Sequence, residues 1–360
     1  MTTRRTVLAS GAALVAVPGV AAATAYWPDA TNWAGREPGT AGLDPVKLSN
    51  AIDIAMADRS NSVMVLRGGR RVVERYAAGI TPASRQEIAS AAKSFVSVLL
   101  GIAIDQGRIK SVDQSAADFI PQWRNTPQAA ITLRHMLTMT SGQEFRDLAL
   151  RGVVGDQFAI NAAAPQAVLP GTRWAYDTAT FHLLYHVIAR AAGEPFEAFA
   201  QRNLLDPLGM ADTGWVTNVG QGAGGPVTNY YSARCSARDL ARFGLFAQRG
   251  GRWEGKQIVS GTYLRAATSP SHELNPAYGY LWWNNAKPGR GAGVGAGGAE
   301  ASGYRFDGSP RDTFAAMGAG GQVVIVVPSL DLVVVRQGQN PGGAQALPTL
   351  LASVCAAVKA

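Results

Sequence analysis

The chain has 360 residues, of which 47% are hydrophobic and 16% charged, and its formal net charge is +8. This composition excludes a disordered or fibrous protein, and the length suffices for one large domain or two interleaved ones. The two cysteines exclude a disulfide scaffold and a four-cysteine zinc site. No run of basic residues exceeds two. We therefore interpret the charge as a basic surface and not as a nucleic-acid interface.

Residues 1–25 predict an export signal. Arg4 and Arg5 precede a weakly apolar stretch rich in Ala and Gly, and small residues lead up to Tyr26. Such a segment is typical of twin-arginine export to the bacterial periplasm or beyond. The stretch is also long enough to span a bilayer, so an uncleaved membrane anchor is the alternative. An oxidising compartment permits a disulfide between Cys235 and Cys355, but we favour two buried free thiols.

After a surface lead-in over residues 26–43, apolar periodicity and turn residues divide the chain into helices and strands. The predicted elements are, in chain order, a helix from Asp44 to about Asp58, a hairpin of Ser62–Arg67 and Arg70–Tyr76, helices over Glu87–Gly107, Thr132–Met139, Thr180–Ala192 and Ala237–Gln248, strands over Tyr278–Trp283, Ser302–Phe306, Phe314–Met317, Gln322–Val327 and Leu332–Arg336, and a helix over Ala344–Val358.

This order of elements predicts an α+β fold. The hairpin and the late strands would share one antiparallel sheet, with the first and last helices packed on it. We expect one folded domain over residues 44–358. Its α/β lobe would comprise about 44–85 and 266–358, and an all-helical lobe about 86–265.

Ser90-Ala-Ala-Lys93 is the first motif with chemical meaning. A serine and a lysine three residues apart lie on one face of a helix. A serine hydroxyl becomes a good nucleophile when a base removes its proton, and a desolvated lysine is such a base. The apolar run that follows Lys93 predicts that its side chain is half-buried. The motif is short, and an ordinary surface lysine is the alternative interpretation.

A second segment, Pro170-Gly171-Thr-Arg-Trp174-Ala-Tyr176-Asp177-Thr178-Ala179, places a tyrosine at the start of a helix. A tyrosine shuttles protons when a nearby lysine stabilises its phenolate. Taken alone, Tyr176 is better explained as a packed aromatic residue.

With these motifs the sequence resembles the serine β-lactamase-related hydrolases: class C β-lactamases, D-alanyl-D-alanine carboxypeptidases, family VIII esterases and nylon-oligomer hydrolases. The resemblance covers roughly residues 45–358, and its blocks occur in family order. The blocks are Ser90-Ala-Ala-Lys93-Ser-Phe, Leu133-Arg-His135-Met-Leu-Thr-Met-Thr-Ser141-Gly142, the Pro170–Ala179 segment, Leu205-Asp-Pro207-Leu-Gly209-Met, Ser236-Ala-Arg-Asp239-Leu-Ala-Arg-Phe243 and Tyr278-Gly279-Tyr-Leu-Trp-Trp283.

The resemblance implies a β-lactamase/transpeptidase-like fold and a catalytic role for three residues. Ser90 would be the nucleophile, Lys93 its base or the group that tunes Tyr176, and Tyr176 the proton shuttle to the leaving group. The sequence leaves open which of Lys93 and Tyr176 takes the first proton. The backbone N–H groups of Ser90 and Ala319 would form the oxyanion hole, and no cofactor is implied.

Two departures from the family pattern bear on the substrate. The family's Lys-Thr-Gly or His-Thr-Gly strand is replaced by a segment in which Gly318 and Gly320 flank Ala319, and small residues there let a substrate approach closely. The lost lysine argues against efficient β-lactamase or D,D-peptidase activity, and the segment resembles the nylon-oligomer hydrolase and esterase branch. The family's Tyr-x-Asn becomes Tyr176-Asp177-Thr178. Thr178 would still hydrogen-bond a substrate, whereas the sequence offers no role for Asp177.

The remaining chemical candidates are weaker. His182 and His186 are four residues apart on a predicted helix but have no acidic partner motif, so we expect no metal site. Trp282 and Trp283 would line an acyl pocket or pack in the core.

The sequence therefore predicts a periplasmic or secreted serine hydrolase that acts on small esters or amides, with no nucleic-acid partner. A D,D-peptidase or weak β-lactamase is the alternative within the same class. The alternative of another class is a penicillin- or peptidoglycan-fragment-binding protein without turnover. The oligomeric state is not readable from the sequence.

Overall fold

In the computed structural model of the chain, the described residues are 25–29, 32–144, 154–217, 221–222, 225–289, 303–339, 341–343 and 345–359. The predicted export signal, apart from Ala25, lies outside them. Among the described residues, no helix has the length and hydropathy needed to cross a membrane.

The described chain contains both helices and strands. The helices are α1 (Pro45–Ala57), α2 (Ala92–Asp105), α3 (Leu133–Leu137), α4 (Gln157–Ala162), α5 (Thr178–Ala192), α6 (Phe196–Ala200), α7 (Asp206–Leu208), α8 (Ala237–Gln248), α9 (Gly261–Thr268) and α10 (Ala346–Ala356). The strands are β1 (Ser60–Arg67), β2 (Arg70–Tyr76), β3 (Gln86–Glu87), β4 (Gly155–Asp156), β5 (Thr213–Thr217), β6 (Gln221–Gly222), β7 (Gly225–Thr228), β8 (Tyr231–Cys235), β9 (Arg252–Trp253), β10 (Lys256–Gln257), β11 (Trp283–Asn284), β12 (Phe314–Gly318), β13 (Gln322–Val327) and β14 (Leu332–Gly338).

The predicted antiparallel sheet is confirmed. Its six strands have the order β11-β12-β13-β14-β1-β2, so the N-terminal hairpin pairs with the last strand of the chain. Side chains alternate across the sheet. Val63 and Val65 of β1 pack in one buried cluster with α1 and α10, whereas Met64 and Leu66 belong to a second cluster with α2 and α8. The first and last helices therefore cover one face, as predicted, and α8 packs against the other.

The second lobe is mostly helical, but it is not all-helical as expected. A three-stranded sheet of order β3-β8-β5 lies within residues 86–265, and β3 leads directly into the Ser90 turn. Helix α8, which the sequence assigned to this lobe, contacts β13, β14 and β1 of the main sheet. The apolar face of α8 could pack on the helical lobe or on the main sheet, so hydrophobic periodicity alone did not predict which of the two it contacts.

Two predicted strands are wrong. Of the residues Tyr278–Trp283, only Trp283 lies in a strand (β11), and the residues before it form a turn in which Leu281 has φ 62° and its amide donates to Leu137 O at 2.9 Å. A Cβ at Gly279 would lie 1.9 Å from Ala267 O, so this aromatic run is packed irregularly against α9. Within the predicted strand Ser302–Phe306, Gly303 makes an isolated bridge and turns follow, while Ser302 lies outside the described residues. Aromatic residues that pack in several directions imitate the alternation of a strand.

Candidate active site

Ser90 lies in a short turn of 3₁₀ helix, Ala89–Ala91, which runs directly into α2. The amide of Ile88 donates to Ala233 O on β8, which fixes the chain before the turn. Ala89 has φ 45°, a left-handed conformation that a non-glycine residue adopts at a cost. Strain of this kind is concentrated at functional sites, and here it directly precedes the candidate nucleophile.

Lys93 is buried, with only 2% of its surface exposed, which is more than the half-burial that the sequence predicted. Its Nζ lies 3.2 Å from Ser90 Oγ and 3.4 Å from Thr178 Oγ1. The ring centre of Phe181 is 4.3 Å from this nitrogen, and that of Tyr176 is 5.0 Å away. The structure thus brings a buried amine, a serine hydroxyl and a tyrosine together, which is the arrangement that removal of the serine proton requires.

Tyr176 is half-buried in a wall of aromatic side chains. It stacks on Trp283 with ring centres 6.1 Å apart, and it meets Tyr278 edge-on at 6.2 Å. Burial raises the pKa of Tyr278 well above its ordinary value, so that phenol stays neutral. Trp283 therefore lines the site, whereas Trp282 is fully buried and stacks on Phe243 in the core.

Asp177, which had no role in the sequence interpretation, caps helix α5. Its carboxylate accepts the amide of Thr180 at 3.1 Å and also the Thr180 hydroxyl. Burial raises the pKa of this carboxyl, while its hydrogen bonds with Thr180 act in the opposite direction. The cap fixes the first turn of α5, in which Thr178 contacts Lys93. The sequence signal was present, because Asp is a preferred N-cap, but the helix had been predicted to begin two residues later.

The end of β12 lies against the Ser90 turn. A Cβ on Gly318 would be 2.1 Å from Ile88 O and 3.0 Å from Ser90 N, so only glycine permits this approach. Ala319, the next residue, is exposed, and Gly320 has φ 79°. The structure therefore brings the end of β12, which Ala319 directly follows, to the Ser90 turn, as an oxyanion hole built from the two backbone amides requires.

Arg305 was not singled out from the sequence, yet it borders this aromatic wall. Its guanidinium carbon lies 3.9 Å from the ring centre of Trp283. Burial lowers the pKa of Arg305 to about 10. No local motif marks this arginine, because the contact joins segments that are distant in sequence.

The two histidines of α5 pack against aromatic rings, His182 buried and His186 half-buried. His182 stacks on Tyr230 with ring centres 4.8 Å apart, and burial lowers its pKa to about 3. Burial likewise lowers the pKa of His186 to about 4. Within the described ranges, no group of three or more His, Cys, Asp or Glu side chains is placed to hold a metal ion.

Comparison with known proteins shows the family to which the chain belongs. The model of a family described as Beta-lactamase matches residues 48–354, so the chain belongs to the serine β-lactamase family of hydrolases. A protein of Alkalihalophilus pseudofirmus whose function is uncharacterized is 25% identical over 326 residues, which span 82% of this chain and 87% of the relative. Esterase EstB of Burkholderia gladioli is 28% identical over 151 residues, spanning 36% of this chain and 38% of the esterase.

A solved structure shows the same fold. It is a Bacillus anthracis protein provisionally assigned as a 6-aminohexanoate-dimer hydrolase, with a TM-score of 0.67 and 19% identity over 83% of this chain and 79% of its own. Together with the family match, this likeness confirms the predicted β-lactamase/transpeptidase-like fold.

Proposed function

We propose that this protein is an exported serine hydrolase that cleaves small esters or amides through an acyl-enzyme on Ser90. The observation that carries the proposal is the buried amine of Lys93, 3.2 Å from the Ser90 hydroxyl. Burial favours the neutral form of an amine, which accepts a proton, and only 2% of the surface of Lys93 is exposed to water.

In the acylation step, Ser90 Oγ attacks the substrate carbonyl carbon, and its proton passes to the pair formed by Lys93 and Tyr176. The carbonyl π electrons move to the oxygen, which the amides of Ser90 and Ala319 stabilise. When the tetrahedral intermediate collapses, the bond to the leaving group breaks, and Tyr176 donates the proton to that group. A water molecule then attacks the acyl carbon and loses a proton to the same pair of residues, and as the bond to Ser90 Oγ breaks, the pair donates that proton to Ser90 Oγ.

The choice of esters or amides rests on the segment that replaces the family's Lys-Thr-Gly or His-Thr-Gly strand. At the end of β12 this segment carries Met317, Gly318 and Ala319, with neither a lysine nor a histidine. The similarity of the chain to Esterase EstB, at 28% identity over 151 residues, supports an esterase activity. The proposed location, the bacterial periplasm or exterior, rests on Arg4, Arg5 and the apolar stretch that follows them.

A substrate panel tests the proposal. The full chain and its Ser90→Ala variant are incubated with p-nitrophenyl acetate, an anilide of matched size and nitrocefin, and intact mass is recorded. We expect an acetyl adduct on Ser90, repeated turnover of the ester and slow or no turnover of nitrocefin. Stoichiometric labelling without turnover of any substrate would instead support the binding-protein alternative. Equal ester turnover by Ser90→Ala would overturn the proposed nucleophile.

A further inference from the structure

Arg336 is a buried arginine near the end of β14, with only 2% of its surface exposed. The residues before it in the strand, Leu332 to Val335, are apolar and buried as well. Side chains alternate along a strand, so Arg336 lies on the face of Val334, which packs with α1 and α10. Burying a guanidinium costs free energy unless its N–H groups find acceptors, whereas an apolar side chain has no such cost. What the arginine adds to this face is therefore its hydrogen bonds.

Three of the five N–H groups of Arg336 anchor it to the main sheet and to the end of α1. Its Nε donates to Ser60 Oγ at 2.9 Å, at the start of β1. Its Nη2 donates to Asp58 O at 3.0 Å and to Gln339 O at 2.9 Å. A guanidinium holds its donors in a rigid plane, so these three bonds fix the direction of the remaining two.

The remaining two N–H groups hold the loop Ala319–Gly321, which joins β12 to β13. Nη1 of Arg336 donates to Gly320 O at 2.9 Å and to Gly321 O at 3.0 Å. Both glycines have positive φ angles, 79° and 75°, and glycine restricts the backbone less than any other residue. A Cβ on Gly321 would lie 2.4 Å from Nη1, so the loop rests directly on the guanidinium. All five donors are thus used, and two of them constrain a loop whose own residues restrict it little.

The same loop belongs to the candidate site. It contacts the Ser90 turn, and its first residue, Ala319, carries the second amide of the proposed oxyanion hole. A donor stabilises a developing oxyanion most when it is already aimed at it before the reaction begins. Because Arg336 is buried, it acts on this amide through the loop and not on the substrate.

We propose that Arg336 is a positioning residue that holds the loop Ala319–Gly321 so that the amide of Ala319 points at the substrate carbonyl oxygen. This inference rests on the proposed function and deepens it. It extends the candidate site to β14, on the far side of the loop from Ser90.

The carbonyl stretch of the acyl-enzyme tests this inference on the full chain, because hydrogen bonds to the acyl oxygen lower its frequency. The wild type, Arg336→Met and Arg336→Lys are acylated with p-nitrophenyl pivalate that is isotope-labelled at its carbonyl carbon, and infrared difference spectra are recorded. We expect the band to move to higher frequency in Arg336→Met and to an intermediate position in Arg336→Lys, which keeps the charge and loses the fork.

The burst of p-nitrophenol gives the acylation rate constant and the Kd of the ester for the same proteins. Arg336→Met should lower the rate constant by a factor on the order of ten to a hundred, because the loss falls on the transition state. The Kd should change by less than about threefold, since the loop contributes little to ground-state binding in this account. A general loss of folded protein would lower the burst amplitude and leave the band where it is.

Arg242→Met is the matched control. Arg242 is equally buried and donates to the carbonyl oxygens of Pro28 and Asp29, outside the loop. We expect it to lower the melting temperature and to keep the wild-type band and acylation rate constant.

A wild-type band and rate constant in Arg336→Met would overturn the inference and assign Arg336 to stability alone. If Arg336→Met yields no folded protein, the same result in Arg336→Lys overturns it. A band shift of equal size in Arg242→Met would overturn it too. In each case an adduct on Ser90 of the wild type leaves the proposed function standing, whereas no adduct on the wild type refutes both.

Discussion

The substitution Gly318→Ala tests whether β12 must approach the Ser90 turn as closely as the structure shows. Gly318 has φ −134°, a conformation that alanine adopts freely, so the added methyl group acts by contact alone. Its Cβ would lie 2.1 Å from Ile88 O, whereas real Cβ atoms essentially never come closer than 3.0 Å to a neighbour. Because the obstacle is backbone, no side-chain rotation relieves it.

The strand end and the Ser90 turn must then separate by roughly 0.9 Å, which moves Ala319 N away from Ser90 N. Displacements of about 1 Å in a catalytic constellation cost on the order of a hundredfold in rate. We therefore expect Gly318→Ala to lower kcat/KM for p-nitrophenyl acetate by about a hundredfold. The far-UV circular dichroism spectrum should remain that of the wild type, since Gly318 is the last residue of its strand.

Gly214→Ala is the control for this experiment. Gly214 also lies in a strand, but a Cβ there meets nothing within 4 Å, and we expect wild-type turnover. If Gly318→Ala keeps its activity within threefold of the wild type while Gly214→Ala is normal, the close approach of β12 is not part of the catalytic geometry. The oxyanion hole assigned to Ser90 and Ala319 would then be wrong.

Three further predictions concern stability and thiols. Asp177→Ala removes the acceptor of the Thr180 amide, and urea unfolding should show a loss of about 1 to 2 kcal/mol. His182 has a pKa of about 3 when folded, so the unfolded chain takes up its proton first as the pH falls below about 6.5. The unfolding free energy should therefore fall with acidification, and His182→Gln should reduce that slope by about 1.4 kcal/mol per pH unit between pH 4 and 6. Cys235 and Cys355 are free, so the unreduced protein should titrate two thiols after denaturation, and one disulfide would contradict this.

Local sequence patterns predicted several of the helices and strands correctly. The Asp44-Pro45 start of α1 is confirmed, since Asp44 accepts the amides of Val46 and Lys47. The hairpin is confirmed as well, because Gly68 and Gly69 supply the positive φ angles that its turn needs. In these elements the residues that determine the structure are neighbours in sequence.

The structural features that the sequence did not predict depend on packing between segments that are distant in sequence. The turn that precedes Trp283 is held by hydrogen bonds from Tyr280 and Leu281 to Ala267 and Leu137, which no pattern within the turn reveals. The place of Arg305 beside Trp283 depends in the same way on the tertiary fold. The motif around Ser90 and Lys93 was accessible from sequence because helical spacing alone brings the two side chains together.

The most direct test of the account is the mass of the enzyme after reaction with a slowly deacylating ester, recorded for the wild type, Ser90→Ala and Lys93→Met. The account predicts one acyl adduct on the wild type, mapped to Ser90 by peptide analysis. Ser90→Ala should carry no adduct, and Lys93→Met should acylate at least a hundredfold more slowly because the base next to the hydroxyl is lost. An adduct on another residue, or acylation of Lys93→Met at the wild-type rate, would contradict it.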